Sequence, residues 1–430
     1  MRKKVVSLVM VLVLVVTTIV IANAAVQLQD ELGEMCQGQA EMEALTDFKL
    51  GEGFSENQRE ALEWLESINR EFDRTRSGDV IFPCFYGGLY LGNDGRPIVL
   101  IVESELYYAR EHNEFSELIS RGQYRIVEYS YTELNHAVNI ILEYMDENLV
   151  GCIYANNVIS FGVCERTNRV VIYMDEYSER MIEWFRNHVY DSPVLVFRQG
   201  RRFVFQSGNE ISFCSDNYYG DIHNNDTYDN INEIHFDTFS SREIRPGDNV
   251  FRWGIPRNHH ATVGFRVRRN SDGMLGFVSV AHTFDTDHWV YSSLTRRAGR
   301  TSSVTSFHRS VDTAFIIAND SSELSNVLPN GHNLSTAVQR EFTQGTWVIS
   351  AGSVTGIRWG EVRYPSHRMN INGVFVDIVV VNSVSEGGDS GGPVFMSSLA
   401  TAGMIVAGDN TAMAFVRAHH ILDTLWFSRY

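Results

Sequence analysis

The chain has 430 residues, of which 44% are hydrophobic and 21% charged, a balance typical of folded globular proteins and not of disordered ones. At roughly 100–200 residues per domain, this length predicts two or three domains. The formal net charge of −17 repels nucleic acid and anionic membrane surfaces, so we expect neither as a partner.

The N-terminus has the layout of a secretory signal peptide. Basic residues at 2–4 precede an apolar run over 5–22, and residues 22–24 (Ala-Asn-Ala) form a small-x-small cleavage site. The apolar run is also close to the length that spans a bilayer, so an uncleaved anchor is the alternative. We therefore predict a signal over residues 1–24 and a secreted protein, membrane-anchored if the signal is retained. Transient membrane association through this segment is the membrane contact we expect.

Residues 25–240 mix helical and strand patterns, which indicates an α+β region. A helix is predicted from Ser55, as its N-cap, to about Arg74. Further helices are expected over 134–145 and 179–188. Strands are expected over 87–91, 98–102, 150–163 and 170–174, with a hairpin turn at 93–95 between the first two. The Asn/Asp-rich stretch at about 215–240 lacks periodicity and predicts a linker.

All five cysteines lie in the first half of the chain: Cys36, Cys84, Cys152, Cys164 and Cys214. In an exported protein, Cys152 and Cys164 are the most plausible local disulfide, and ordinary reduced thiols are the alternative. The cysteine and histidine spacings do not suggest zinc. We expect neither a metal nor another cofactor.

From about residue 244 the sequence predicts an all-β domain. Short strand-like runs are separated by Gly, Asn, Asp and Ser, which is typical of a sandwich or barrel. The runs are 261–268, 276–280, 314–317, 347–350, 374–380 and 403–407. A short terminal helix is expected over 421–427.

Residues 387–393, GGDSGGP, place a serine in a glycine-rich turn. A serine hydroxyl attacks a carbonyl when a base removes its proton and backbone N–H groups stabilise the oxyanion. Glycines let the chain turn tightly enough to bring those N–H groups to one point. Ser390 is therefore the predicted nucleophile, and the N–H groups of Gly388 and Ser390 are the predicted oxyanion hole.

His282 and Asp312 are the predicted partners of this serine. His282 ends an apolar strand-like run, which places it at the rim of a barrel, where it can act as the base. Asp312 leads into another apolar run, where an acid is costly unless it is paired. A carboxylate there would orient the imidazole and stabilise its charged form. The alternatives, Asp285 and Asp287, lie too near His282 in sequence and are interpreted as loop acids.

Three motifs resemble those of chymotrypsin-like serine peptidases, and more closely the bacterial α-lytic protease and streptogrisin branch. Residues 276–282, GFVSVAH, are similar to the branch's GFVTAGH. Residues 352–362 are similar to its Gly-x-x-Thr-Gly…Gly-x-Val hairpin, and 386–393 to its nucleophile loop. The resemblance covers about 244–430 and implies a trypsin-like, all-β domain of two six-stranded antiparallel barrels, with the triad in the cleft between them.

The resemblance also implies an activity and a maturation route. It implies a serine endopeptidase that hydrolyses polypeptide substrates through an acyl-enzyme and is made as a zymogen. Residues 25–240 would be an α+β pro-region that assists folding, binds the peptidase domain (244–430) as a partner, and is cut off. A peptidase fold that has lost turnover, or a surface-anchored binding protein, is the alternative function.

Two positions depart from the family pattern. Thr283 follows His282 where many relatives have a cysteine, and Val406 stands where a serine usually supports the triad aspartate. Asp312 is therefore expected to lack one hydrogen bond.

The resemblance places the walls of the specificity pocket at residues 384–387 and 406–409. The substrate-binding residues are then Val384, Glu386, Val406, Ala407 and Gly408. The mostly small or apolar walls favour an uncharged residue before the scissile bond, and a basic preference through Asp409 is the alternative.

Overall fold

A computed structural model describes residues 50–76, 80–149, 152–202, 243–252, 260–284, 286–293, 296–305, 311–371 and 373–430. The predictions of a signal at 1–24 and of a linker at about 215–240 lie outside these residues, as do Cys36, Cys214 and Asp285. No helix within the described residues is both long and apolar enough to cross a membrane.

The N-terminal part, residues 50–202, contains helices and strands in alternation, so the predicted α+β character is confirmed. Its helices are α1 (Phe54–Glu71), α2 (Leu106–Glu111), α3 (Asn113–Ser120), α4 (Tyr131–Asn148), α5 (Ile153–Asn156) and α6 (Glu179–His188). Its strands are β1 (Tyr86–Leu91), β2 (Pro97–Val102), β3 (Tyr124–Val127), β4 (Val158–Cys164), β5 (Arg169–Met174) and β6 (Leu195–Gln199). Strands β1 and β2 form the predicted hairpin, and β3 joins β2 in parallel.

Local signals explain where the helices begin, and the structure corrects three predicted boundaries. The reciprocal hydrogen bonds of Ser130 and Glu133 form a capping box that starts α4 earlier than the apolar pattern predicted. The N-cap of α1 is Gly53, in a left-handed conformation, so the prediction of Ser55 is wrong. Ser55 is buried within the first turn. The strand expected from residue 150 begins only at Val158, because α5 precedes it.

The cysteines of the described residues, Cys84, Cys152 and Cys164, are free thiols. The disulfide between Cys152 and Cys164 is therefore wrong, and the reduced alternative holds. Cys152 caps α5 by accepting a hydrogen bond from Ala155 N at 3.4 Å. Cys164 lies at the far end of β4, which an extended strand places roughly 20 Å from its first residue.

The C-terminal part, residues 243–430, is nearly all strand, as predicted. Its elements are β7 (Asn249–Arg252), β8 (His260–Thr262), β9 (Arg266–Arg269), β10 (Leu275–Ser279), β11 (Trp289–Ser293), β12 (Arg296–Thr305), β13 (Thr313–Ala318), β14 (Trp347–Gly352), β15 (Gly356–Ile371), β16 (Val374–Asn382), β17 (Pro393–Phe395), β18 (Thr401–Gly408), β19 (Met413–Arg417), α7 (Ala418–Leu425) and β20 (Phe427–Arg429). The predicted terminal helix is α7, which ends before Phe427 because β20 begins there and pairs with β9.

Six antiparallel strands, β14 to β19, form the second of the two barrels, which is closed. Their hydrogen-bonded order is β14-β15-β16-β19-β18-β17, and β17 returns to β14. Buried and part-exposed positions alternate over most of β15, which gives it one face toward a core, whereas every residue of β18 is buried.

The first barrel closes through a single stretch of chain that carries both β8 and β9. Its strands run in the order β9-β10-β13-β12-β11-β7-β8. Between β8 and β9, Val263 O accepts from Gly247 N near β7, and Gly264 N donates to Val278 O on β10. These two hydrogen bonds link the ends of the sheet. The predicted trypsin-like, all-β fold is confirmed and the second barrel has the six strands expected, but the first has seven strands instead of six because the chain carries β8 and β9 as separate strands.

The N-terminal part packs against the second barrel. Strand β4 pairs antiparallel with β15, so the sheet β4-β5-β6 continues the barrel sheet. The side-chain amide of Gln58 on α1 bonds both backbone groups of Trp347, at 2.6 and 3.0 Å. Arg166 pairs with Glu361 at 2.8 Å.

A buried acid in the N-terminal part predicts a pH effect on stability. Glu165 is 3% exposed, and its Oε2 atom has no hydrogen-bond partner among the described residues. Burial raises the pKa of this carboxyl from 4.5 to about 8. The native state therefore keeps a proton that the unfolded chain loses above pH 4.5. The contribution of Glu165 to the free energy of unfolding therefore falls as pH rises from 4.5 to 8, by about 1.4 kcal/mol per pH unit.

Glu165→Gln is expected to raise the melting temperature at pH 8 and to change it little at pH 4.5. The amide keeps the shape of the protonated acid and cannot ionise. Thermal unfolding at the two pH values measures this, with the exposed Glu183→Gln as the matched control. Equal stabilisation by Glu165→Gln at both pH values would contradict the assignment.

Candidate active site

Ser390 lies in a tight turn just before β17. Asp389 N donates to Glu386 O at 3.0 Å, and Gly392 N donates to Asp389 O at 2.9 Å. The glycines of this turn are required by geometry, because Gly391 has a φ of 96° and a Cβ there would overlap the carbonyl oxygen of Thr262. Gly388, with a φ of 105°, and Ser390 lie on either side of Asp389.

The Asp389 carboxylate is fully buried and organises the turn. Its Oδ1 atom accepts from Val354 N at 2.9 Å and from Thr355 N at 3.0 Å. Its Oδ2 atom accepts from Thr355 Oγ1 at 2.7 Å and from Glu386 N at 2.9 Å. A Cβ at Gly352 would overlap this carboxylate. The turn between β14 and β15 is therefore shaped around the residue that precedes Ser390.

The role of Asp389 was missed by sequence reasoning. The hairpin and the nucleophile loop were identified as separate motifs, and nothing in their spacing showed that one binds the other. The available signal was the threonine of GSVTG, residues 352–356, since a hydroxyl in a turn is a natural donor to a buried acid.

The turn also contacts the first barrel. Thr262 N donates to Ser390 O at 2.8 Å, and Thr262 Oγ1 donates to Gly388 O at 2.7 Å. Ser279, at the end of β10, donates through Oγ to Thr262 O at 2.8 Å. His260 on β8 lies beside the turn as well, because a Cβ at position 388 would be 3.1 Å from its Cδ2 atom. Ser390 is therefore held against the barrel that carries His282.

His282 and Asp312 meet at one end of the β10–β13 pair, where Ser279 is opposite Ala314. His282 Nδ1 and Asp312 Oδ2 are hydrogen-bonded, and His282 N donates to Asp312 Oδ1 at 3.1 Å. The Asp312 side chain is fully buried and that of His282 is 9% exposed. In contrast, the side chain of Asp287 is 76% exposed, 3.7 Å from Arg300, as expected of a loop acid.

The two positions that depart from the family pattern are both buried. The hydroxyl of Thr283 has no hydrogen-bond partner within the described residues. Val406 carries no polar side-chain atom, but its carbonyl accepts a long hydrogen bond from Ser390 Oγ at 3.5 Å. The bonds to the Asp312 carboxylate described above both come from His282.

The predicted substrate-binding residues fall on two facing segments. Val406, Ala407 and Gly408 end β18 and are buried, whereas Val384 and Glu386 are exposed. The segments touch, because Ser385 N donates to Asp409 O at 2.9 Å and a Cβ at position 408 would be 2.6 Å from Ser385 Cβ.

The Asp409 carboxylate is occupied by its own turn. Its Oδ1 atom accepts from Thr411 N and Oγ1, both at 2.7 Å, and from Ala412 N at 2.8 Å. Burial acts to raise the pKa of Asp409, but these bonds outweigh it and hold the pKa below its ordinary value.

A groove of about 530 Å³ lies away from the predicted site residues, between residues 398–399 and the connection from β13 to β14, which joins the two barrels. It is lined by Glu243, Arg266, 322, 324–326, 333–336 and 398–399, and by none of the predicted site residues.

A known protein family matches one part of the N-terminal region. The profile of a family described as a Pro-like C-terminal domain matches residues 132–200, which span α4 to β6. Among curated protein sequences, none matches this chain. The double-barrel architecture described above is that of chymotrypsin-like serine proteases, so the resemblance in the three motifs is confirmed at the level of the fold.

Similar solved structures have low identity. A glutamic acid specific serine protease is 21% identical, covering 44% of this chain and 100% of its own, with a TM-score of 0.38. Thermobifida fusca protease A is 21% identical, covering 43% and 97%, with a TM-score of 0.36. Nocardiopsis protease is 20% identical, covering 44% and 100%, with a TM-score of 0.37.

Proposed function

We propose that this chain is a secreted serine endopeptidase made as a zymogen, with Ser390, His282 and Asp312 as its catalytic triad. The observation that carries the proposal is the buried His282–Asp312 pair, with the Ser390 turn held against the same barrel. A buried carboxylate that bonds an imidazole is the arrangement by which a serine hydroxyl is activated.

In the proposed mechanism, Ser390 Oγ leaves the weak bond to Val406 O and turns toward His282. The Nε2 atom of His282 takes the hydroxyl proton while Oγ attacks the scissile carbonyl. Asp312 holds the Nδ1–H group, so that Nε2 is the basic nitrogen, and stabilises the imidazolium. The N–H groups of Gly388 and Ser390 stabilise the oxyanion. His282 then protonates the leaving amine, and water hydrolyses the acyl-enzyme.

We also propose an uncharged, small or apolar residue before the scissile bond. The contact between Ser385 and Gly408 narrows the space between the pocket walls. The turn that occupies the Asp409 carboxylate leaves it less able to pair with a basic side chain.

The N-terminal part is proposed to be the pro-region. Two observations support this role: the match of residues 132–200 to a Pro-like C-terminal domain, and the pairing of β4 with β15. Secretion through a signal at residues 1–24 and cutting in the Asn/Asp-rich linker at about residues 215–240 complete the proposal.

Labelling by a fluorophosphonate probe tests this function. We expect the chain without residues 1–24 to be labelled, Ser390→Ala to lose labelling entirely, and Ser397→Ala, another buried serine of the second barrel, to keep it. The loss follows because the probe reacts only with an activated hydroxyl. A folded parent chain without labelling would favour the alternative of a peptidase fold without turnover. A mature species that still begins near residue 25 would contradict the pro-region.

A further inference from the structure

A histidine is buried where the two halves of the chain meet. Residues Gly162, Phe161 and Ser160 of β4 pair with His367, Arg368 and Met369 of β15. His367 is 2% exposed, and within the described part of the chain its Nδ1 atom has no hydrogen-bond partner. A buried imidazole without a partner for one nitrogen tolerates the neutral form far better than the charged one.

The backbone of β4 covers this imidazole directly. A Cβ at position 162 would be 2.6 Å from His367 Nδ1 and 2.8 Å from Ser366 O. A glycine is therefore needed opposite His367 for the two strands to pair. The cover comes from the N-terminal part, so separating β4 from β15 would return this side of the ring to water.

Aromatic and charged groups complete the surroundings of His367. The Tyr364 ring is stacked on it with centroids 4.5 Å apart, and the Tyr173 ring of β5 meets it edge-on at 5.9 Å. The two tyrosine hydroxyls share a hydrogen bond of 2.7 Å, and Arg363 donates to Tyr173 OH at 2.9 Å. The imidazole is thus enclosed by both halves of the chain.

The titratable groups around the junction have opposing effects. Burial and then Arg363 lower the pKa of His367 to about 3, and Asp377 on β16 acts against them. Asp377 itself pairs with Arg417 on β19 at 2.9 Å. Other titratable groups near the junction include Arg368 on β15, Tyr173 on β5, Cys164 on β4, Asp146 on α4, and His419 and His420 on α7.

We propose that the β4–β15 junction is a proton-sensitive contact, at which protonation of His367 in mild acid weakens the packing of the N-terminal part on the second barrel. This inference concerns the regulation of the proposed zymogen and rests on the proposed function for its biological meaning. The paired state excludes the proton and the separated state accepts it, so acid favours separation.

The size of the effect follows from linkage. An uncovered histidine titrates near its ordinary pKa of 6.5, whereas the covered one stays neutral until the pH is close to 3. Pairing is therefore fully supported above pH 6.5 and weakens as pH falls from 6.5 toward 3. The equilibrium between paired and separated states shifts by about tenfold per pH unit in that window.

Hydrogen–deuterium exchange of the full chain from residue 25, with Ser390→Ala to keep it uncut, tests this. The readout is the protection factor of amides in β4 and in residues 366–369 of β15, corrected for intrinsic exchange, at pH 7.5 and 5.5. His367→Gln removes the titration, and the exposed His188→Gln on α6 is the matched control. Comparing variants at one pH cancels the contributions of Glu165 and Asp377.

In the parent chain, which keeps His367, we expect the protection factors of these amides to fall about tenfold more between pH 7.5 and pH 5.5 than they do in His367→Gln. His188→Gln should follow the parent, and amides of β10 and β13 should not differ between variants. Equal pH dependence with and without His367 would overturn the inference. If His367→Gln does not fold at pH 7.5, His367→Phe keeps a ring against Tyr364 and replaces it. No step requires turnover, so this result and the labelling of Ser390 can fail independently.

Discussion

Asp312→Asn is expected to lower kcat/KM for peptide hydrolysis by about four orders of magnitude. Asp312 receives two bonds from His282, one from the backbone N–H and one involving Nδ1. In the variant, the amide oxygen stays with the backbone N–H, so the amide NH2 group faces Nδ1. Nδ1 must then accept a hydrogen bond, and the ring proton moves to Nε2. An imidazole in that form cannot take the proton of Ser390.

The matched control for this variant is Asp287→Asn. Asp287 is the nearby acid that the sequence left as an alternative, and it is exposed in a loop. Asparagine tolerates its positive φ of 65°. Steady-state hydrolysis of an uncharged peptide substrate measures both variants, with thermal unfolding to show that each is folded. If Asp312→Asn kept activity within tenfold of the parent, Asp312 would not be the orienting acid.

Asp389→Ala is expected to abolish labelling of Ser390 and to lower the free energy of unfolding by at least about 3 kcal/mol. The substitution leaves four donors without their acceptor, three of them backbone N–H groups. Each bond to a buried charged group contributes about 1.5–3 kcal/mol. The turn that places Ser390 depends on these bonds, so its geometry should be lost with them.

Thr355→Val gives the graded version of the same test. It removes one donor to Asp389 and keeps the shape of the side chain. Because Thr355 acts through Asp389, we expect kcat to fall about tenfold while KM changes little, which corresponds to about 1.4 kcal/mol of transition-state stabilisation. Ser322→Ala is the control, because it removes the hydrogen bond that the Ser322 hydroxyl donates to Asp320 in an exposed turn. Unchanged kinetics in Thr355→Val would show that the hairpin does not position the nucleophile.

The barrels and the pairing of His282 with Asp312 could be predicted because their signals are local. Short strands bounded by turn residues are readable one at a time, and His282 and Asp312 each adjoin an apolar strand. Once β10 and β13 pair, these two residues come to the same end of the sheet. The triad assignment itself stays a prediction until activity is measured.

The contacts between distant segments could not be predicted. Gly162 and His367 are ordinary residues in their own strands, and only the pairing of β4 with β15 makes them neighbours. The role of Asp389 has the same origin, because three of its four donors come from a hairpin more than thirty residues earlier. Local errors had local causes: Gly53 competes with Ser55 as a cap, and Cys152 caps α5 instead of approaching Cys164.

Mapping of the fluorophosphonate adduct by peptide mass spectrometry tests the central claim most directly. The account predicts a single adduct on Ser390, in the peptide that contains residues 387–393, and its disappearance in His282→Ala, which lacks the base. An adduct on another serine, or a correctly folded chain without any adduct, would contradict the assignment of Ser390 as the nucleophile.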